Sequence, residues 1–231
     1  MTAIAKSIRR RRGALDPSIV LIATIATIAA GCWRIGEPMP DEAIVSWAAY
    51  PDTVVVGESF SLEFAGPVSP TTCGRLDTAV VALSEAEVVL SAERSVFDAI
   101  CSRERVSFYH ARPFSLERAG RYRVRTRGGL DLGTITAVDS GRFSPMVAVG
   151  EGTVRSVGGC WLFGPGWASN QRPFALRDAP DEIAAEAGTD RVVFVRGSFA
   201  GFTLCGRWGS RPSIRVDSSR VTERRGRDYY D

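Results

Sequence analysis

The feature that most constrains this chain lies near its amino terminus. Lys6, Arg9, Arg10, Arg11 and Arg12 precede the apolar run Ile19-Val-Leu-Ile-Ala-Thr-Ile-Ala-Thr-Ile-Ala-Ala30, which ends at Gly31-Cys32. A basic segment, a short apolar segment and small residues follow one another in this order in a secretory signal. A spanning helix needs about 20 apolar residues, whereas this run has 12. Export with removal of residues 1–31 is therefore the expectation, and an uncleaved single-pass anchor the alternative. Whatever follows residue 31 is expected to fold outside the reducing interior of the cell.

The residues Ile28-Ala29-Ala30-Gly31-Cys32 resemble the lipobox of bacterial lipoproteins, in which the cysteine is acylated after cleavage just before it. The position three before the cysteine is usually a large aliphatic and is Ala29 here. Ala29-x-Gly31 also suits an ordinary signal peptidase at the same bond. The resemblance implies lipidation of Cys32, by palmitate or a similar chain. It implies anchoring on the extracytoplasmic side of a bacterial envelope membrane, periplasmic or at the cell surface. Each buried acyl methylene holds by about 0.8 kcal/mol, so several chains hold durably. Residues 1–31 carry five of the 29 basic and one of the 26 acidic residues, so their removal takes the net charge from +3 to −1. A nearly neutral remainder has no long-range pull on nucleic acid.

With Cys32 assigned, Cys73, Cys101, Cys160 and Cys205 remain. An even number outside the cytoplasm invites disulfides, and four cysteines allow three connectivities. If the chain folds as two domains, the local pairing of Cys73 with Cys101 and Cys160 with Cys205 staples each one. Each staple would contribute about 3 to 4 kcal/mol in the loop-entropy account. No C-x-x-C occurs, which argues for stability over redox chemistry.

A chain of 231 residues suffices for one large β domain or two small ones. Residues 32–43 contain two prolines and no periodicity, and are read as a tether. From 44 to 138, short segments rich in Val, Phe and Tyr are broken by Gly or Pro. Phe60, Leu62 and Phe64 alternate with Ser61 and Glu63, the period of a half-buried strand. Several such strands predict an antiparallel sandwich. Within it, Ala119-Gly120-Arg-Tyr122-Arg-Val124 resembles the corner of immunoglobulin-like domains. That resemblance implies a buried Tyr122 ring with its hydroxyl bonded back to the corner. Val124 stands where antibody domains carry a cysteine.

Residues 139–150 hold turn formers and are read as a linker. From 151 to 221, five apolar segments and one short helix over 179–187, acidic at its start and followed by Gly188, resemble a small OB-like barrel. Residues 222–231 are read as a polar tail that frays. The expected fold class is thus all-β: an immunoglobulin-like sandwich followed by a small OB-like barrel with one short helix.

Catalytic chemistry is hard to find. The one histidine, His110, sits at an expected strand end without partners for base or metal work. Gly197-Ser-Phe-Ala-Gly201 places its serine wrongly for a nucleophile elbow. Glu85, Glu87 and Glu93 carry no signal. No catalytic residue, metal set or cofactor is expected. Two binding features stand out. Arg121, Arg123, Arg125 and Arg127 recur at every second residue, so a strand aligns them on one face that could grip anions or simply be solvated. Trp161, Trp167, Trp208, Phe199 and Phe202 gather aromatics in the second half, and Trp167 in Gly-Pro-Gly-Trp-Ala-Ser-Asn is the one best suited to ligand contact from a loop. The expectation is an exported, lipid-anchored, non-catalytic binding or structural module. Its partners would be the membrane and an envelope protein or polysaccharide, with no nucleic acid. An accessory factor that binds the protein partner of an envelope enzyme or transporter is the alternative, and a hydrolase the third.

Overall fold

Alternation decides which side chains each strand buries. In β4 (Phe60–Ser69), Phe60, Leu62 and Phe64 are buried and Ser61 is exposed, as the period-2 pattern predicts. The computed structural model describes residues 39–97, 99–164 and 173–229. Over these the protein is all-β, with a single five-residue helix, α1 (Asp181–Ala185), among the described residues. No helix among them is long and apolar enough to cross a membrane.

One sheet has the order β1 (Met39–Ala43), β6 (Glu87–Val96), β8 (Gly120–Thr126), β9 (Asp131–Val138), β3 (Thr53–Val55), with β5 (Gly74–Ser84) on the other edge of β6. The second sheet has the order β11 (Cys160–Gly164), β12 (Phe174–Arg177), β14 (Ser210–Arg225), β13 (Arg191–Leu204), β10 (Met146–Val157), β2 (Trp47–Pro51), β4, β7 (Val106–Phe114). β11 also pairs with β10, which closes five strands into a ring. The antiparallel expectation for residues 44–138 is corrected at two places, since β3 with β9 and β6 with β8 run parallel; in the second half β12 and β14 also run parallel.

The expected boundaries also shift. The tether ends before residue 39, because Met39–Ala43 pairs with β6 and Arg94 clamps Asp41 across that pair. The stretch read as a linker is strand from Met146 onward, and β10 continues from the sandwich into the ring. Gly150 is there for close approach, not for a turn: its φ is +150°, and a Cβ would lie 2.3 Å from the Ser46 carbonyl oxygen and Trp47 Cα. The stretch read as a fraying tail is instead structured where it is described: β14 runs to Arg225, and the Gly226 amide donates to the Asp190 carbonyl. α1 is shorter than the 179–187 expected.

Two large apolar cores result, beside a small cluster of Cys160, Leu162, Ala175 and Cys205. Tyr50, Phe64, Leu90, Val124, Leu132 and Ile135 belong to the first, between the sheets. Val154, Phe163, Leu176, Ile183, Val193 and Ile214 belong to the second, in the ring. β2 is buried along its whole length and serves both: Ala48 and Tyr50 enter the first core, Trp47 and Ala49 the second. The Trp47 ring meets Phe174 edge-on at 5.0 Å between centroids. β10 divides in the same way, with Val147 and Val149 in the first core and Ala148 and Val154 in the second. The two halves therefore share strands as well as a boundary.

Candidate functional site

Beyond Gly150, β10 places Glu151, Thr153 and Arg155 on the face opposite to Val154. Glu151 is 6% exposed. A buried carboxylate is costly unless paired, and Arg224 of β14 supplies the partner, its Nη1 donating to Oε2 at 3.0 Å. Around this pair lies a cleft of about 550 Å³ bounded by Glu42, Asp131, Glu151, Arg220 and Arg224, so that β1, the β8–β9 turn, β10 and β14 all line it. Arg220 is held over the Phe194 ring at 4.8 Å. Burial draws the Asp131 carboxyl upward, but the Gly133 amide and the Arg123 guanidinium outweigh it and hold it below the ordinary range. The cleft thus opposes carboxylates to guanidinium groups, an arrangement suited to hydrogen-bonding a polar ligand.

Further along the same face a second cleft of about 450 Å³ gathers Arg103, Arg105 and Arg155 beside Thr153 and Asp190. Burial, and then the like charge of Arg105, lowers the pKa of Arg155. Among the described residues no cluster of three or more His, Cys, Asp or Glu could hold a metal ion.

The residues singled out in the sequence are dispersed. Arg121, Arg123 and Arg125 alternate in β8 with the buried Tyr122, Val124 and Thr126, whereas Arg127 falls in the turn after the strand. Three of them meet carboxylates of neighbouring strands: Arg123 with Asp131 at 2.8 Å, Arg125 with Glu87 at 2.8 Å and Arg127 with Glu93 at 3.9 Å. Tyr122 donates from its hydroxyl to the Arg118 carbonyl at 2.8 Å, the corner bond that the resemblance implied. His110 lies within β7, not at a strand end, 5.2 Å from the Phe64 ring. Burial, and then Arg112, depresses its pKa. Gly197–Gly201 is part of β13, without a strand-to-helix turn. Cys73 joins Cys101 and Cys160 joins Cys205, both with Cα atoms 5.5 Å apart. Cys32 and Trp167 lie outside the described residues.

The Glu151–Arg224 pair was missed by sequence reasoning. Its signal was available in Val149-Gly-Glu-Gly-Thr-Val154, one acid flanked by glycines inside an otherwise apolar strand. No family model, curated protein or solved structure matches this chain.

Proposed function

We propose that this chain is an exported, lipid-anchored protein of a bacterial cell envelope. In this reading an immunoglobulin-like sandwich and an OB-like barrel, joined through shared strands, form a non-catalytic binding module. The observation that carries the reading is the pair of disulfides, one in each half. Structural disulfides persist in oxidising compartments and are rare in the cytosol. The apolar run after the arginines supplies the route, and Cys32 the point of acylation. The Tyr122 corner bond supports the immunoglobulin-like reading, although the parallel β3–β9 and β6–β8 pairs depart from that family's antiparallel sheets. The closed ring of five strands, with α1 between the third and fourth, supports the OB-like reading. The cleft around Glu151 and Arg224 is the binding site in this proposal. Its facing acids and arginines suit a hydroxyl-rich envelope polysaccharide or a polar segment of an envelope protein.

Intact-mass analysis of the membrane-extracted protein tests the proposal. The expected chain begins at an acylated Cys32 and is lighter by four hydrogens than its reduced form. Cys32→Ser releases it from the membrane or leaves it unprocessed. A full-length chain in the cytosol with all thiols reduced would overturn the proposal.

A further inference from the structure

Two separate stretches of chain bring arginine to the second cleft. Arg103 and Arg105 stand on a short loop fixed at both ends. At its start Cys101 is bonded to Cys73, the Ser102 amide donates to Thr72 Oγ1 at 3.1 Å, and the Thr72 amide donates back to the Ser102 carbonyl at 3.1 Å. At its end β7 begins at Val106, paired with Ser69. Thr153 and Arg155 come from β10, two residues apart and so on one face of it. The turn after α1 is tied to that strand, because the Gly188 amide donates to the Val154 carbonyl at 3.0 Å.

Of the eight residues that line this cleft, Thr153 alone is buried, at 3% exposure. Its hydroxyl has no hydrogen-bond partner among the described residues. The other hydroxyl of the cleft is used: Thr189 Oγ1 donates to the Glu186 carbonyl at 2.8 Å and accepts from the Arg191 amide at 3.1 Å. A buried hydroxyl without a partner destabilises the fold, and Val, of nearly the same shape, suits a strand better. Thr153 in this position therefore calls for a partner from outside the chain.

Charge indicates the partner. Arg103, Arg105 and Arg155 share the cleft with Glu104 and Asp190, three cations with two carboxylates. Asp190 Oδ2 already accepts from the Arg227 amide at 3.3 Å. Gly226 leaves it the space to do so, since a Cβ there would lie 2.6 Å from Asp190 Oδ1 and 3.2 Å from Thr153 Cγ2. Glu104 is exposed, whereas Arg105 is half-buried. Burial, and then the like charge of Arg105, holds the pKa of Arg155 down, so these two guanidinium groups are near enough to repel. An anion beside them offsets that repulsion. A carboxylate presents two oxygens in one plane and is met by a single forked guanidinium. Three guanidinium groups and a hydroxyl, arriving from two stretches of chain, suit the several terminal oxygens of a phosphate. At about 450 Å³ the cleft also has room for a group that carries the phosphate.

We infer that this cleft binds a phosphate group, with Arg103, Arg105 and Arg155 meeting its oxygens and the Thr153 hydroxyl donating to one of them. The site is distinct from the Glu151–Arg224 cleft and does not depend on the Cys32 anchor.

The test is titration calorimetry on the purified full-length protein in phosphate-free buffer, with inorganic phosphate, glycerol 3-phosphate and acetate as probes at equal ionic strength. Glycerol 3-phosphate should bind at one site, and acetate should not bind. Arg155→Gln, at an exposed position, should weaken that binding about tenfold, the usual loss for a hydrogen bond to a charged group. Thr153→Val should weaken it about tenfold as well, and without ligand should raise the thermal midpoint, because the orphaned hydroxyl is gone. Glu104→Gln should tighten binding, and Arg142→Gln, an exposed arginine outside the cleft, should leave it unchanged. Tighter binding of glycerol 3-phosphate than of inorganic phosphate upholds a carried phosphate as the ligand, and equal binding upholds the free ion. Acetate binding as tightly as the phosphates, or equal losses in Arg155→Gln and Arg142→Gln, overturns the inference in favour of unspecific charge pairing. Wild-type affinity in Thr153→Val overturns it too, as does the absence of binding by both phosphates; each of these leaves the anchor and the Glu151–Arg224 cleft standing.

Discussion

The two halves dispose of their aromatic residues in opposite ways. The first half faces Phe60, Phe64 and Phe108 into its core, and the second keeps Phe163 and Phe174 inside while leaving Phe199, Phe202 and Trp208 exposed. The disulfides follow the same division. Cys73–Cys101 ties the start of β5 to the loop before β7, whereas Cys160–Cys205 ties the turn between β13 and β14 to the start of β11. Both halves leave some large apolar side chains in water, among them Leu83 and Ile100 in the first and Phe202 and Leu204 in the second, so the contrast lies in the paired rings of Phe199 and Phe202. Apolar area left in water has no stabilising return.

The comparison holds only if the halves are otherwise one cooperative body, and Trp47 tests that first. Trp47→Ala should cost about 3 to 5 kcal/mol, the usual range for a buried large aromatic. Because β2 contributes to both cores, scanning calorimetry should still show one transition, at lower temperature. Two separated transitions would show that each half folds alone.

Next in size come the disulfides. Replacing Cys160 and Cys205 together by Ser should cost about 4 kcal/mol for a separation of 45, and replacing Cys73 with Cys101 about 3.6 kcal/mol for a separation of 28, read from urea denaturation. Only the first pair should also loosen residues 199–212 in hydrogen exchange. Equal loosening by both would remove the disulfides from the comparison.

Tyr122→Phe deletes the bond to the Arg118 carbonyl and should cost about 1 kcal/mol. The loss should appear in denaturation midpoints without a change in residues 199–212.

The smallest effect is one of pH. The Arg94 hydrogen bond holds the Asp41 carboxyl below its ordinary value of 3.8. The folded state therefore binds this proton less readily than the unfolded chain, so the contribution is present above about pH 3.8 and is lost as pH falls through the lowered value. Amide exchange in β1 should accelerate across that window, and Asp41→Asn should flatten the response.

Much of the fold was legible in the residues. Strand character followed from alternation at Phe60, Leu62 and Phe64, and the corner from Gly120 and Tyr122. The boundaries were not. Met146-Val-Ala-Val149 carries apolar residues on both faces, which reads as neither a half-buried strand nor a turn. Only the neighbours on each side, β2 and β13, explain why both faces are buried. The same holds for Trp47-Ala-Ala-Tyr50, a continuous apolar run whose two faces enter different cores. Of the candidate site, the arginine row was legible from its spacing but its carboxylate partners were not, because they come from other strands.

What the sequence determined by itself is local: the period of each strand, the turn residues, the basic and apolar order at the amino terminus, and the even set of cysteines after it. Tertiary structure decided which cysteines meet, that two cores share β2 and β10, that Glu151 and Arg224 face one another, and that Phe199 and Phe202 pair where the register of β13 slips. The reason is physical. Alternation and turn chemistry act between neighbours in the chain, whereas pairing and register depend on surfaces that come together only when distant strands pack.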